Sequence, residues 1–185
     1  MMIALAALSL TGCLASGALP EAMIPAVSTS STCSVAPMLS GAFTLGTVGG
    51  GQQTFALGSS KISDVGLSEA VLRSLSSHGL LASEEATAVY RLDVYLVHLD
   101  QPATGLLTEV FTFVRYTLVS RRDGRVLLDD LVEASATLDA VDVFYGVKRL
   151  RLVNEEAMKA NLASFLESLC AQAEAGAFAD TGALP

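Results

Sequence analysis

Tryptophan is absent from this 185-residue chain, and aromatic residues make up only 6% of it. Histidine occurs twice, at His78 and His98, and cysteine three times, at Cys13, Cys33 and Cys170. With so few ligands, and no cysteine pair at zinc spacing, neither a metal nor a metal-held cofactor is expected. Basic residues are also scarce: 11 Lys and Arg stand against 19 Asp and Glu, a net charge of −8. That balance argues against nucleic acid as a partner and against holding an anionic surface by bulk charge.

The common catalytic signatures are missing too. No Gly-x-Ser-x-Gly elbow, no His-Glu-x-x-His and no hexapeptide repeat occurs. Gly49-Gly50-Gly51 is followed by Gln52-Gln53 and not by Gly-Lys-Ser/Thr, so it reads as a turn or bulge and not as a phosphate loop. The adjacent carboxylates Asp129-Asp130 sit on a predicted strand, where neighbours point to opposite faces. Glu155-Glu156 falls in the expected first turn of a helix, where negative charge is stabilising without any chemistry. His78-Gly79 ends a helix, and His98 is expected on the same strand face as Leu92, Val94 and Leu96. No residue set is assigned a catalytic role, and the chain is read as a non-enzyme.

What is present begins with a long supply of apolar residues, 51% of the chain, and with the order of its first thirteen. An apolar run from Ile3 to Leu10 leads into Leu10-Thr11-Gly12-Cys13, a hydrophobic export segment, a small-residue cleavage site and a thiol placed to receive lipid. The basic residues that usually open such a leader are missing. Residues 1–12 are read as a signal peptide and Cys13 as the lipidated residue, anchoring the chain to a membrane. Spanning needs about 20 apolar residues, more than this run supplies before Gly12, Ser16 and Gly17 interrupt it. Residues 13–40, rich in Ala, Ser, Thr and Pro, are expected to be a flexible tether. In an exported protein the remaining Cys33 and Cys170 are read as a disulfide pair.

One domain is expected over residues 41–174, with a disordered tail over 175–185. Its first strand runs from Ala42 to Val48, with Thr54 to Ile62 continuing extended. A helix follows, capped by Ser63 or Asp64, with Val65, Leu67, Val71, Leu72 and Leu75 on one side. Strands are predicted from Val89 to Leu99, Leu107 to Ser120 and Val126 to Leu138, the last two joined by an Asp123-Gly124 hairpin turn. Asp139 to Lys148 reads as a loop, and a second helix runs from Leu150 to about Glu174. The order β-α-β-β-β-α makes an α+β two-layer sandwich, a mainly antiparallel sheet of about four strands with both helices on one face.

Alternation assigns Leu92, Val94, Val110, Val114, Leu118, Val126, Leu128 and Val132 to the covered face. The opposite face carries Tyr95, Val97, Phe111, Phe113, Leu127 and Leu131, edged by charged residues. Six large apolar side chains on a face turned to water point to a contact surface. Cross-strand packing within a solvated sheet, or a tether folded over it, accounts for them equally.

This order behind Leu10–Cys13 resembles a group of small bacterial envelope lipoproteins, including LPS-assembly (LptE-like), YajG-like and lipid-transporter auxiliary lipoproteins. The likeness rests on Leu10–Cys13, on Val48-Gly49-Gly50, on Ser74-Leu75 to Gly79-Leu80-Leu81, and on the run from Gly146 to Glu155. The resemblance implies fold and location more than activity. Leu14, where Asp is absent after the anchor cysteine, implies the outer membrane, facing the periplasm. The expected role is a non-catalytic accessory or structural subunit of an envelope complex handling lipid or lipopolysaccharide, with an envelope protein or lipid as partner. A stand-alone lipid or small-molecule binding lipoprotein is the alternative.

Overall fold

The computed structural model describes residues 17–27, 37–55, 59–102, 107–139 and 146–178. The expected signal peptide, Cys13 and Cys33 lie outside them. Four strands form one sheet in the order β1-β2-β3-β4: β1 Phe43–Gly49, β2 Tyr90–Asp100, β3 Leu107–Ser120 and β4 Val126–Asp139. Two helices, α1 Asp64–Ser77 and α2 Gly146–Glu174, complete the α+β architecture.

β1 runs parallel to β2, and the segment joining them carries α1. A parallel neighbour needs a long crossover, and the helix supplies it. β2, β3 and β4 are antiparallel. The β3–β4 turn uses Gly124 at φ +71°, the conformation that the Asp-Gly pair predicts. The Ser63 hydroxyl caps α1 by accepting from Gly66 N–H at 3.1 Å, as expected. His78 closes the same helix: its N–H donates to Ser74 O, and its Nδ1 lies 2.8 Å from that oxygen. That is a structural role.

The core lies between one sheet face and both helices. Leu67, Val71 and Leu75 of α1 meet Phe43, Leu92, Val94 and Leu118 of the sheet, and α2 adds Met158, Leu162, Phe165 and Leu169. Val65 and Leu72, grouped with that stripe in the sequence, are exposed, and Ala70 and Ser74 take the inward positions instead. Tyr116 stacks on Phe165 with ring centroids 4.0 Å apart. Burial pushes the Tyr116 phenol well above its ordinary pKa, so its hydroxyl stays a donor, and it donates to Asn161 Oδ1 at 2.9 Å. Asn161 Nδ2 in turn donates to Val132 O at 2.9 Å and Thr112 O at 3.1 Å, fastening α2 across β3 and β4.

Four expectations are corrected here. The tether is not free along its length, because Ala18, Met23 and Leu39 are core residues. Ala18 N–H donates to Lys61 O at 3.0 Å, and Leu19 N–H to Glu155 Oε1 at 2.9 Å. The tail is not frayed from residue 175, since Phe178 is 2% exposed and packs 6.1 Å from the Tyr90 ring. α2 begins at Gly146, inside the expected loop, so Glu155 lies well within the helix and is buried. Residues 51–55 and 59–62 form no strand but fold on each other, through Gln52 N–H to Ile62 O at 2.8 Å and Lys61 N–H to Thr54 Oγ1 at 2.8 Å. No helix of the described residues is long and apolar enough to cross a membrane.

Candidate functional site: the outer face of the sheet

Both helices cover the same side, so the other face of β2–β4 carries side chains that no helix meets. Register sorts that face into rows across the strands. Tyr95 stands opposite Arg115, which stands opposite Leu131. In the next row His98 faces Phe113, which faces Glu133, and beyond it Asp100 faces Phe111, which faces Ser135. Tyr95, Val97 and Leu131 are 55%, 48% and 53% exposed, while Phe111 and Phe113 are half-buried.

Five of the six expected surface residues therefore gather on one face. Leu127 does not. The register slips between Leu118 and Val119, so Leu118 pairs with Leu128 and Val119 with Val126. That bulge packs Leu127 against the core and turns Val126, expected inside, out to 55% exposure. A second bulge, between Leu96 and His98, does the same for His98. The sequence places His98 beside Leu92 and Val94, but the extra residue brings it outward, exposed, with its ring 6.0 Å from Phe113.

A third irregularity, in β1 between Leu45 and Val48, shapes the near edge of the face. Asp93 reaches into it and accepts from Thr47 N–H at 2.8 Å with Oδ1, while Oδ2 takes Arg91 Nη2 at 3.0 Å. Gly46 leaves room for this carboxylate, since a Cβ there would stand 2.1 Å from Asp93 Oδ1 and push it aside. Gly50 is required for two reasons: φ is +83°, and a Cβ would fall 2.1 Å from Leu96 O. The triple glycine is thus a close-packed turn, as its sequence suggests.

Between Thr47, Asp93, Tyr95, Arg115 and Thr117 lies a shallow depression of about 130 Å³. Ligand pockets enclose several hundred Å³, so this is a surface feature and not a chamber for a lipid. Arg115 pairs with Asp129 at 2.9 Å in plain view of solvent, an ion pair of small net energy. Apolar side chains among paired charges suit non-covalent contact. The ring neighbour of His98 is Phe113, and Glu156 is exposed and paired with Lys159 at 2.6 Å. Among the described residues no group of three metal-ligating side chains gathers.

Sequence reasoning missed a second polar centre, on the helix side. Gln101 Nε2 donates to Ser60 O and to Asn154 Oδ1, both at 2.8 Å, and Asn154 Nδ2 also donates to Ser60 O at 3.1 Å. With Glu155 it fastens the N-terminal segment and the 59–62 turn to α2. A signal existed, since Asn154 and Asn161 interrupt the apolar stripe of Met158, Leu162 and Phe165 at helical spacing. Cys170 is disulfide-bonded, and its partner lies outside the described residues.

No family model and no curated protein matches the chain. Solved structures do. A Xanthomonas campestris protein of the DUF330 family matches with a TM-score of 0.60 over 87% of this chain and 97% of its own, at 11% identity. The two share a fold. An Acinetobacter baumannii minor lipoprotein (TM-score 0.39, 16% identity, 57% of this chain and 84% of its own) and a Neisseria meningitidis lipoprotein (0.37, 12%, 72% and 99%) resemble it less, at a level that carries no argument.

Proposed function

We propose that the chain is a lipid-anchored protein of the bacterial envelope, serving as a non-catalytic accessory or structural subunit that presents the outer face of its sheet to an envelope partner. One observation carries this reading. The face of β2–β4 that the helices leave bare holds Tyr95, Val97 and Leu131 about half exposed, side by side with Phe111 and Phe113. Aromatic and aliphatic side chains interleaved with Arg115 and its paired carboxylate have the composition of a contact patch. The location rests on Leu10–Cys13 and, for the outer membrane, on Leu14.

The stand-alone lipid-binding alternative draws less support. The depression on this face is too small for an acyl chain.

The anchor is tested by feeding cells a labelled fatty acid. The wild-type chain takes up label and stays with the membrane fraction, and Cys13→Ser does neither. An unlabelled wild type, or a Cys13→Ser chain labelled as strongly, overturns the reading.

A further inference from the structure

The two most exposed large hydrophobic side chains among the described residues are not on the sheet. They are Phe55, 76% exposed, and Val65, 72% exposed. Both flank the place where the N-terminal segment enters the domain. Gly17 lies against Thr54, the residue before Phe55: a Cβ on it would stand 3.1 Å from Thr54 Oγ1 and 3.3 Å from Lys61 O. Ala18 O lies 3.7 Å from the Cβ position of Gly66, the residue after Val65. Leu19, 38% exposed, comes next along the same segment.

The entering segment has no slack once it arrives. Ala18 N–H is held by Lys61 O at 3.0 Å, Leu19 N–H by Glu155 at 2.9 Å, and Met23 is fully buried. The chain is therefore held to the domain from Ala18 onward. Cys13 precedes Gly17 by four residues, and four residues span at most about 14 Å when fully extended. A lipid on Cys13 holds this end of the domain within roughly half the thickness of a bilayer core.

We propose that this end rests on the lipid surface, with Phe55 and Val65 in contact with the bilayer interface. The inference rests on the lipid anchor proposed above. The short reach names the occupant: what lies within 14 Å of the anchored end is the membrane itself. The contact is apolar in kind. The nearby carboxylate of Asp64 is engaged by Gly51 N–H at 2.6 Å, and Lys61 Nζ is spent on Gln101 Oε1 at 2.5 Å. An exposed aromatic beside an anchored terminus suits the headgroup region, where such rings settle. The acyl chains supply the affinity, and this contact fixes the tilt of the domain.

The missing tryptophan makes the test clean. Phe55→Trp, Val65→Trp and Tyr95→Trp each place a single reporter in the full-length lipidated protein, reconstituted into phosphatidylethanolamine–phosphatidylglycerol vesicles. Mass analysis of the N-terminal peptide comes first. At Phe55 and Val65 the emission shifts to the blue, brominated acyl chains quench it, and quenching by acrylamide is lost relative to the unlipidated chain. At Tyr95, on the sheet, none of this occurs. A lipidated protein whose reporters at 55 and 65 stay open to acrylamide overturns the contact alone, as does one whose Tyr95 reporter is equally shielded. A mature chain without lipid on Cys13 overturns the anchor, and the contact with it.

Discussion

Glu155, buried in α2, accepts a hydrogen bond from the backbone N–H of Leu19 at 2.9 Å, across 136 positions of sequence. Arg151 Nε lies 3.6 Å from the same carboxylate oxygen. This contact turns a segment with the composition of a linker into part of the fold. It also sets where a lipid anchor would hold the domain.

Burial raises the Glu155 carboxyl above its ordinary pKa, against the opposing pull of the Leu19 N–H and Arg151. A carboxyl that holds its proton more tightly when folded contributes stability below its unfolded pKa and loses it as pH rises through the folded value. Glu155→Gln keeps an acceptor for Leu19 and cannot ionise. Urea unfolding across a pH series is expected to show wild type losing stability relative to Glu155→Gln between those two values. A relative gain over that window would mean that Leu19 and Arg151 outweigh burial.

Asn161 is fully buried and joins Tyr116, Thr112 and Val132. Asn161→Leu leaves a phenol and two carbonyls without this partner, at a cost of about 2–3 kcal/mol. Tyr116→Phe is expected to cost about 1 kcal/mol, since it removes one hydrogen bond and keeps the stack on Phe165. Chemical denaturation that ranks them the other way would place the anchor of α2 elsewhere.

Gly46→Ala drives a methyl into Asp93 Oδ1 and the Arg91 stem. The expected loss is about 0.5–1.5 kcal/mol, that of the Thr47–Asp93 hydrogen bond given up when the carboxylate moves aside. Removing the obstacle by Asp93→Ala should recover part of it, and a double-mutant cycle reads the coupling. Additive losses would show that the two positions do not meet.

The regular parts of this fold are legible in residue pattern. The bounds of β3, the β3–β4 turn at Asp123-Gly124 and the Ser63 cap follow from alternation and turn chemistry. The errors share a physical origin. Alternation carries no record of an inserted residue, so the bulges at Val97 and Leu127 reverse the sides of His98, Val126 and Leu127 without any trace in composition. Ala18, Met23, Leu39 and Phe178 bury singly, outside any periodic run, and so read as tether and tail. Of the candidate surface, the rows through Tyr95, Phe111, Phe113 and Leu131 were legible because those stretches of strand are uninterrupted.

The Phe43–Tyr90 and Tyr90–Phe178 ring contacts, at 5.4 and 6.1 Å, bring the start of β1 and the chain just beyond α2 to one end of the molecule. Cys33, which precedes β1 in the sequence, is the expected partner of Cys170. Cys33→Ser should therefore expose one reactive thiol at Cys170 under non-reducing conditions, with a loss of up to about 4–5 kcal/mol from opening so long a loop. Cys13→Ser should expose none. A free Cys170 in the Cys13→Ser chain would assign the disulfide to the anchor residue and remove the lipid.

The central claim is that the bare sheet face is where this protein makes contact in the envelope. Its most direct test places a photo-crosslinking residue at Tyr95 in intact cells, and another at the exposed Arg73 on α1 as a reference. The expected result is a discrete adduct with one envelope protein from position 95, absent from position 73 and lost when Phe111 and Phe113 are both changed to Ser in a chain that still folds. No adduct from position 95, or one that survives the double change, would contradict the account.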